Sequence, residues 1–159
     1  MKPTLAWMMV SPARLIACGF GSGLMRHAPG TWGTLFAWAT YVLLLEPLAE
    51  GVRLVCIAAA FAIGIWACGR AGRDLGVADH GGIVWDEVAA FWLVLALVPA
   101  AWTTQLVAFL LFRFFDIAKP PPIGHFDRLW KNGFGVMFDD VLAAAFCLII
   151  FALWTKAMA

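Results

Sequence analysis

Residues 52–69 read VRLVCIAAAFAIGIWACG, and this stretch decides the fold class. Arg53 is its one charged residue, and its length approaches the roughly 20 apolar residues that a membrane-spanning helix needs. The whole chain has the same character, since 64% of its 159 residues are hydrophobic and 13% are charged. An average soluble domain carries about 25% charged residues. We therefore predict a single all-α membrane domain over residues 1–159.

Further apolar segments lie on both sides of this stretch, at residues 31–48, 87–102, 104–117 and 141–156. Each is near or below the length of about 20 residues that spans a bilayer. The sequence therefore predicts a multi-pass bundle of four to five short hydrophobic helices. Residues 4–18 are a candidate for one more helix, amphipathic and lying in the membrane interface. Because Pro12 and Arg14 interrupt their apolar run, we interpret these residues as mature protein and not as a signal peptide.

The distribution of basic residues predicts an orientation. With five segments, every Lys and Arg except Arg53 and Lys156 falls on one face of the membrane. Basic residues favour the cytoplasmic side, so we expect that face in the cytoplasm. The net charge of +1 and the absence of a Lys/Arg run argue against a nucleic-acid partner. The four cysteines share no metal-binding spacing, which indicates reduced packing residues.

Carboxylates cluster on the predicted cytoplasmic face. An ionised side chain at bilayer depth costs at least about 2.5 kcal/mol, so clustered acids suggest a charged site. In DHGGIVWDE, Asp79 and His80 precede Asp86 and Glu87, which we expect in the first turn of a helix. Helix capping is the alternative interpretation of such acids. Mg²⁺ is bound by a few carboxylates, waters and phosphate oxygens, and this segment supplies several such ligands.

A second acid pair, Asp139-Asp140, follows the segment NGFG, and we expect it at the start of the last helix. The candidate metal ligands are therefore Asp79, Asp86, Glu87, Asp139 and Asp140. Two helix caps are again the alternative, although one cap needs only one acid.

Arg113, Asp116 and Lys119 are spaced to share one face of a helix. Asp116 would serve as a ligand or base, with the two cations holding phosphate oxygens. A snorkelling pair of cations around a neutralising acid is the alternative. The turn GFGSG at residues 19–23 permits backbone N–H groups to converge on an anion, which makes Gly21 and Ser22 phosphate-binding candidates.

Four stretches together resemble the phosphatidylglycerophosphatase A family of bacterial membrane lipid phosphatases. They are GFGSGLMRHAPGTWGTL (19–35), DHGGIVWDE (79–87), FRFFDIAKPPPIGHFDR (112–128) and GFGVMFDDVLAA (133–144). The resemblance implies Mg²⁺-dependent hydrolysis of the terminal phosphate of phosphatidylglycerophosphate, giving phosphatidylglycerol and inorganic phosphate. It also implies a multi-pass protein of the bacterial inner membrane whose product feeds cardiolipin synthesis.

The resemblance also carries residue roles. It implies that the family's shared acids correspond to Asp79, Asp86, Glu87, Asp116, Asp139 and Asp140. We expect catalysis at Asp86, Glu87, Asp116, Asp139 and Asp140, where one acid or His80 would deprotonate the attacking water. The resemblance implies substrate phosphate-binding cations at Arg113, Lys119 and Arg128. Attack by water and a covalent aspartyl-phosphate at Asp139 or Asp140 both remain open, as do the number of metal ions and the oligomeric state.

Two other functions use the same residues. A small ion transporter would employ the acids as a cation path, but it predicts acids near the middle of the membrane. A structural membrane subunit would need them only as helix caps and leaves the glycine-rich loops unexplained.

Overall fold

The computed structural model describes residues 2–121 and 123–158, without the side chains of residues 126–128 and 158. Over these residues the regular elements are all helical, which confirms the all-α prediction. The α-helices are α1 Leu5–Met9, α2 Pro12–Ala17, α3 Pro29–Thr40, α4 Glu50–Leu75, α5 Trp85–Leu97, α6 Trp102–Ala118, α7 Ile123–Leu129 and α8 Gly133–Met158. A kinked 3-10 segment, Gly19–Leu24, follows α2, and a π-helical turn, Tyr41–Leu45, extends α3.

Two helices are long and apolar enough to cross a membrane. They are α4, with 26 residues, and the Gly133–Ala157 part of α8, with 25 residues. α3, α5 and α6 contain 12, 13 and 17 residues. At about 1.5 Å per residue, α5 is roughly 20 Å long and shorter than a hydrocarbon core of about 30 Å. Within the described residues, two helices rather than four to five therefore meet the length of a full span.

α5 is the central helix of the bundle. It contacts α2, α3, α4, α6 and α8, and every residue from Trp85 to Phe91 is buried. Trp85 donates its indole N–H to the Ala60 carbonyl oxygen of α4 at 3.0 Å. Trp92 donates likewise to the Ala37 carbonyl oxygen of α3 at 2.9 Å. Both indole N–H groups are thus satisfied, and they fix α5 against helices on two sides.

Glycines allow α4 and α8 to pack closely. A Cβ atom built on Gly133 would lie 2.1 Å from the Ile65 carbonyl oxygen of α4. One built on Gly64 would lie 2.6 Å from the Met137 sulfur of α8. Small residues at a helix crossing let the two backbones approach, as they do between membrane helices. This contact sets the first two turns of α8 beside α5.

The last helix begins earlier than the sequence predicts. α8 starts at Gly133, so Asp139 and Asp140 lie about two turns inside it and not at its start. Within NGFG, the Asn132 side-chain oxygen accepts the Gly135 N–H at 2.9 Å. Asparagine caps a helix in this way, and here it starts α8 before the acid pair.

The N-terminal segment also differs from its prediction. Residues 4–18 form the two short helices α1 and α2, not one amphipathic helix. Thr4 caps α1 by accepting the Trp7 N–H at 3.2 Å. Pro12 then begins α2 as its first residue, a position where its missing N–H is of no consequence.

Candidate active site

Three carboxylates from two helices meet at the N-terminal end of α5, on the side that the sequence predicts to be cytoplasmic. Asp86 and Glu87 stand in the first turn of α5, and Asp140 reaches them from α8. One oxygen of each lies within 4.8 Å of the others. Their exposed fractions are 6%, 9% and 2%. Acids that are far apart in sequence therefore form one buried group, which we call the acid cluster.

Each member of the acid cluster has an oxygen without a hydrogen-bond partner among the described residues. These atoms are Asp86 Oδ1, Glu87 Oε2 and Asp140 Oδ2, and all three are buried. Burying an ionised carboxylate costs several kcal/mol unless it is compensated, and neighbouring carboxylates repel one another. A hard divalent cation offsets both costs, and Mg²⁺ holds opposed oxygens roughly 4 Å apart. The spacing and chemistry of the cluster therefore fit such a cation.

Arg113 of α6 forms one side of the acid cluster. Its Nη1 donates to Glu87 Oε1 at 3.2 Å and also to Asp116, and it lies 3.5 Å from the Thr34 hydroxyl of α3. The Thr34 hydroxyl in turn donates to the Gly30 carbonyl oxygen at 2.9 Å. The guanidinium therefore connects α6, α5 and α3. Asp116 is paired with Arg113 and is not a member of the acid cluster.

Gly30 forms a wall against the same carboxylate. A Cβ atom at this position would lie 1.9 Å from Glu87 Oε1 and 2.9 Å from Arg113 Nη2. Such distances are far below van der Waals contact, so any larger residue here would displace the Glu87 carboxylate or the Arg113 guanidinium. The first turn of α3 thereby packs its backbone directly on Glu87.

Lys119 forms the other side of the site. It ends α6 in the left-handed conformation, with φ at 39°, and its ammonium group pairs with Asp139 of α8. The same nitrogen lies 3.9 Å from Asp79 Oδ2, and the Asp79 side chain is 36% exposed. Asp139 is 2% exposed. The five predicted metal ligands therefore divide into the acid cluster and two acids that contact Lys119.

The remaining predicted site residues make local contacts. His80 Nδ1 accepts the Gly82 N–H at 3.0 Å, which braces its own turn. The N–H groups of Gly21 and Gly23 both donate to the Cys18 carbonyl oxygen at 3.0 Å. The Ser22 hydroxyl donates to the Gly19 carbonyl oxygen at 2.9 Å. These donors are used inside the turn, which differs from the expected anion site.

Arg128 lies in α7, but its side chain is outside the described residues.

Comparison with known proteins identifies the family. The model of the family Phosphatidylglycerophosphatase A matches residues 15–155. The chain belongs to this family. A phosphatidylglycerophosphatase A of Haemophilus influenzae is 48% identical over 143 residues, covering 89% of this chain and 88% of the relative. One of Escherichia coli is 39% identical over 136 residues, covering 85% and 78%.

A third relative has a different name. A protein of Bacteroides thetaiotaomicron, provisionally named a phosphatidylinositol-3-phosphatase, is 38% identical over 145 residues, covering 87% of this chain and 90% of the relative. No solved structure matches the chain. Membership in the phosphatidylglycerophosphatase A family confirms the resemblance seen in the sequence, and it confirms the prediction of a phosphoric monoester hydrolase.

Two residues of this family member received no role from the sequence. They are Thr34, which is 0% exposed beside Arg113, and Gly30, which packs on Glu87. The signal available was their position in PGTWGTL, a polar and glycine-rich start to an otherwise apolar helix.

Cys18 was interpreted as a packing residue, and it is fully buried. Burial raises the pKa of the Cys18 thiol to about 11, so this thiol stays protonated at neutral pH.

Proposed function

We propose that the chain hydrolyses the terminal phosphate monoester of phosphatidylglycerophosphate in a Mg²⁺-dependent reaction. The products are phosphatidylglycerol and inorganic phosphate. The observation that carries this proposal is the acid cluster of Asp86, Glu87 and Asp140, whose buried oxygens lack protein partners among the described residues. The names of the two relatives from Haemophilus influenzae and Escherichia coli support the choice of substrate.

The acid cluster would hold the metal. Asp86, Glu87 and Asp140 supply carboxylate oxygens, the ligands that Mg²⁺ prefers. Bound there, Mg²⁺ would neutralise charge on the phosphate, and this lowers the barrier to attack by an oxygen nucleophile. Asp79 and Asp139 stand at the edge of the site beside Lys119 and orient that cation.

Arg113 and Lys119 would bind the substrate phosphate. Both are cations at the border of the acid cluster, and charge-assisted hydrogen bonds to phosphate oxygens are stronger than neutral ones. The contacts of Arg113 with Glu87 and Asp116 hold the guanidinium in one orientation before the substrate arrives. Such preorganisation favours the transition state, in which charge is spread over the transferring phosphoryl group.

The hydrolytic step needs a proton acceptor. A water oxygen attacks phosphorus, the bond from phosphorus to the glycerol oxygen breaks, and the water proton passes to a carboxylate. Asp116 and Asp139 suit this role, because each lies at the border of the acid cluster and contacts a cation that can then interact with phosphate. The rival path forms a phosphoaspartate at Asp139 or Asp140. Stopping the reaction with acid during turnover of phosphate-labelled substrate distinguishes the two paths. Only the phosphoaspartate path leaves labelled phosphate on the protein.

We place the protein in the bacterial inner membrane with the site at the cytoplasmic face. α4 and α8 have the length and composition of spanning helices. Large apolar side chains are exposed on several helices, including Leu43, Val55, Leu110 and Leu153, and such a surface is favourable only against lipid or another protein. α3, α5 and α6 would complete the multi-pass bundle of four to five helices. A lipid substrate could then keep its acyl chains in the leaflet while its phosphate reaches the site.

The experiment is phosphate release by the purified protein in detergent. Phosphatidylglycerophosphate is supplied with Mg²⁺ and then with EDTA, and the Asp140→Asn variant serves as the inactive control. Release that requires Mg²⁺ and is lost in the variant supports the proposal. A folded protein that releases no phosphate with Mg²⁺ contradicts it and favours the ion transporter. Phosphatidylinositol 3-phosphate in a parallel assay tests the activity named for the Bacteroides relative.

A further inference from the structure

A cavity with basic side chains in its lining lies beside the start of α3, where Gly30 packs on Glu87 of the acid cluster. It has a volume of about 540 Å³ and is lined by the N-terminal residues before α1, the end of the 3-10 turn and the loop before α5. Its lining includes Lys2, Arg26, Pro29, His80 and Gly82. We call it the basic cavity, because three of its side chains are basic and none is an acid.

The basic side chains are available to a ligand. Lys2 and Arg26 are exposed, and neither forms an ion pair within the part of the chain that the structure describes. His80 accepts the Gly82 N–H through Nδ1. A neutral imidazole that accepts at Nδ1 carries its proton on Nε2 and donates from there. Two cations and one imidazole donor around an open volume are suited to an anion.

The basic cavity and the acid cluster share a wall. Pro29 lines the cavity, and the next residue, Gly30, packs directly on Glu87. Successive Cα atoms are only about 3.8 Å apart, so the cavity lining at Pro29 and the contact with Glu87 at Gly30 are neighbours at the start of α3. A ligand that occupies the basic cavity and the acid cluster together must carry two groups. One group binds at the acid cluster, and the other is an anion joined to it by a short linker.

We propose that the basic cavity binds the phosphodiester of the same lipid whose terminal phosphate is hydrolysed at the acid cluster. This inference rests on the proposed function, because it assigns a place to the other half of that substrate's headgroup. A single glycerol unit joins the two phosphates, which suits two sites on either side of one wall. The basic cavity then selects for lipids with a second phosphate, and phosphatidic acid lacks that group.

Steady-state kinetics of Arg26→Ala and of the Lys2→Ala/Arg26→Ala double variant test the assignment. Loss of a charge-assisted hydrogen bond typically weakens binding about tenfold, so KM for phosphatidylglycerophosphate should rise about tenfold in Arg26→Ala. The value of kcat should change little, because the phosphodiester does not react. KM for phosphatidic acid should stay at the wild-type value. Arg26→Lys keeps the charge and should recover most of the loss, and Lys156→Ala, at the far end of α8, is the matched control.

Inhibition distinguishes a lipid phosphodiester from free phosphate. Phosphatidylglycerol retains the phosphodiester, so its inhibition should weaken in Arg26→Ala, while inhibition by inorganic phosphate should stay constant. An equal rise in KM for both lipids would indicate general attraction to anionic surfaces and would overturn the assignment. Unchanged kinetics in the double variant would overturn it as well.

A binding measurement separates this inference from the proposed function. Phosphatidylglycerol should raise the unfolding temperature of the wild-type protein in detergent more than that of the double variant. This readout requires no turnover. A wild-type protein that hydrolyses no phosphatidylglycerophosphate but shows this difference contradicts the proposed function alone, and equal shifts in both proteins contradict the assignment of the cavity.

Discussion

Arg113 Nη1 lies 3.2 Å from Glu87 Oε1, and this contact joins α6 to α5 at the border of the acid cluster. Both are largely buried, since the side chains taken alone are 12% and 11% exposed. A buried carboxylate that loses its cation becomes an uncompensated charge. The pair therefore links the stability of the helix bundle to the electrostatics of the candidate site.

Arg113→Ala should lose both stability and activity. Removing one partner of a buried ion pair typically destabilises by about 3–5 kcal/mol, because the other charge remains buried. We expect a clearly lower unfolding temperature in detergent and at least about a hundredfold slower phosphate release. Arg70→Ala is the control, since Arg70 is 57% exposed in its pair with Asp74 and should contribute less than about 1 kcal/mol. Equal stability of the two variants would contradict the role given to Arg113.

Asp86→Asn and Asp140→Asn should abolish phosphate release without unfolding the protein. Each substitution keeps the size of the side chain but removes a charge from the acid cluster. We expect Mg²⁺ to raise the unfolding temperature of the wild-type protein and to have little effect on either variant. Asp74→Asn is the matched control, because Asp74 pairs with Arg14 and Arg70 away from the cluster. Retention of the Mg²⁺ shift in Asp140→Asn would exclude Asp140 as a ligand.

Gly30→Ala should inactivate the protein through one methyl group. The added Cβ would lie 1.9 Å from Glu87 Oε1, so either α3 or the carboxylate must move. A displacement of this size in a catalytic group can reduce the rate about a hundredfold. Gly51→Ala is the control, since nothing lies within 4 Å of the added atom and α4 should tolerate or gain from the change. Comparable activity in both glycine variants would show that the wall at Gly30 is not required.

Lys119→Gly and Lys119→Ala should be equally inactive but differ in stability. Both remove the ammonium group that contacts Asp139 and Asp79. Residue 119 has a φ of 39°, which glycine adopts without strain and alanine does not. The glycine variant should therefore be more stable by about 1 kcal/mol, measured by unfolding in detergent. Substantial activity in either variant would mean that phosphate binding does not depend on Lys119.

The sequence predicted the meeting of Asp86, Glu87 and Asp140 for a sound physical reason. Membrane composition makes each acid expensive, so acids at several helix ends on one side are expected to converge. The sequence could not predict which acids join the acid cluster and which contact Lys119, because Asp139 and Asp140 are adjacent in the chain. On a helix their side chains point about 100° apart, so one reaches α5 and the other reaches Lys119.

Helix boundaries and backbone contacts were harder to predict from the sequence. The start of α8 depends on the Asn132 cap, which competes with the flexibility of two nearby glycines. The role of Gly30 depends on how α3 packs on Glu87, and no local pattern encodes that distance. The turn at Gly21 similarly directs its N–H to Cys18, which a glycine-rich motif alone does not reveal.

The burial of α5 on all sides from Trp85 to Phe91 determines which parts of the molecule can move independently. Amide hydrogens in such a helix exchange with solvent only when the whole bundle opens, whereas thinly packed segments exchange through local fluctuations. The backbone that carries Asp86 and Glu87 therefore belongs to the part of the fold that opens last. Gly81, in contrast, is exposed in the loop that lines the basic cavity, so this loop can open locally while the rest of the bundle stays closed.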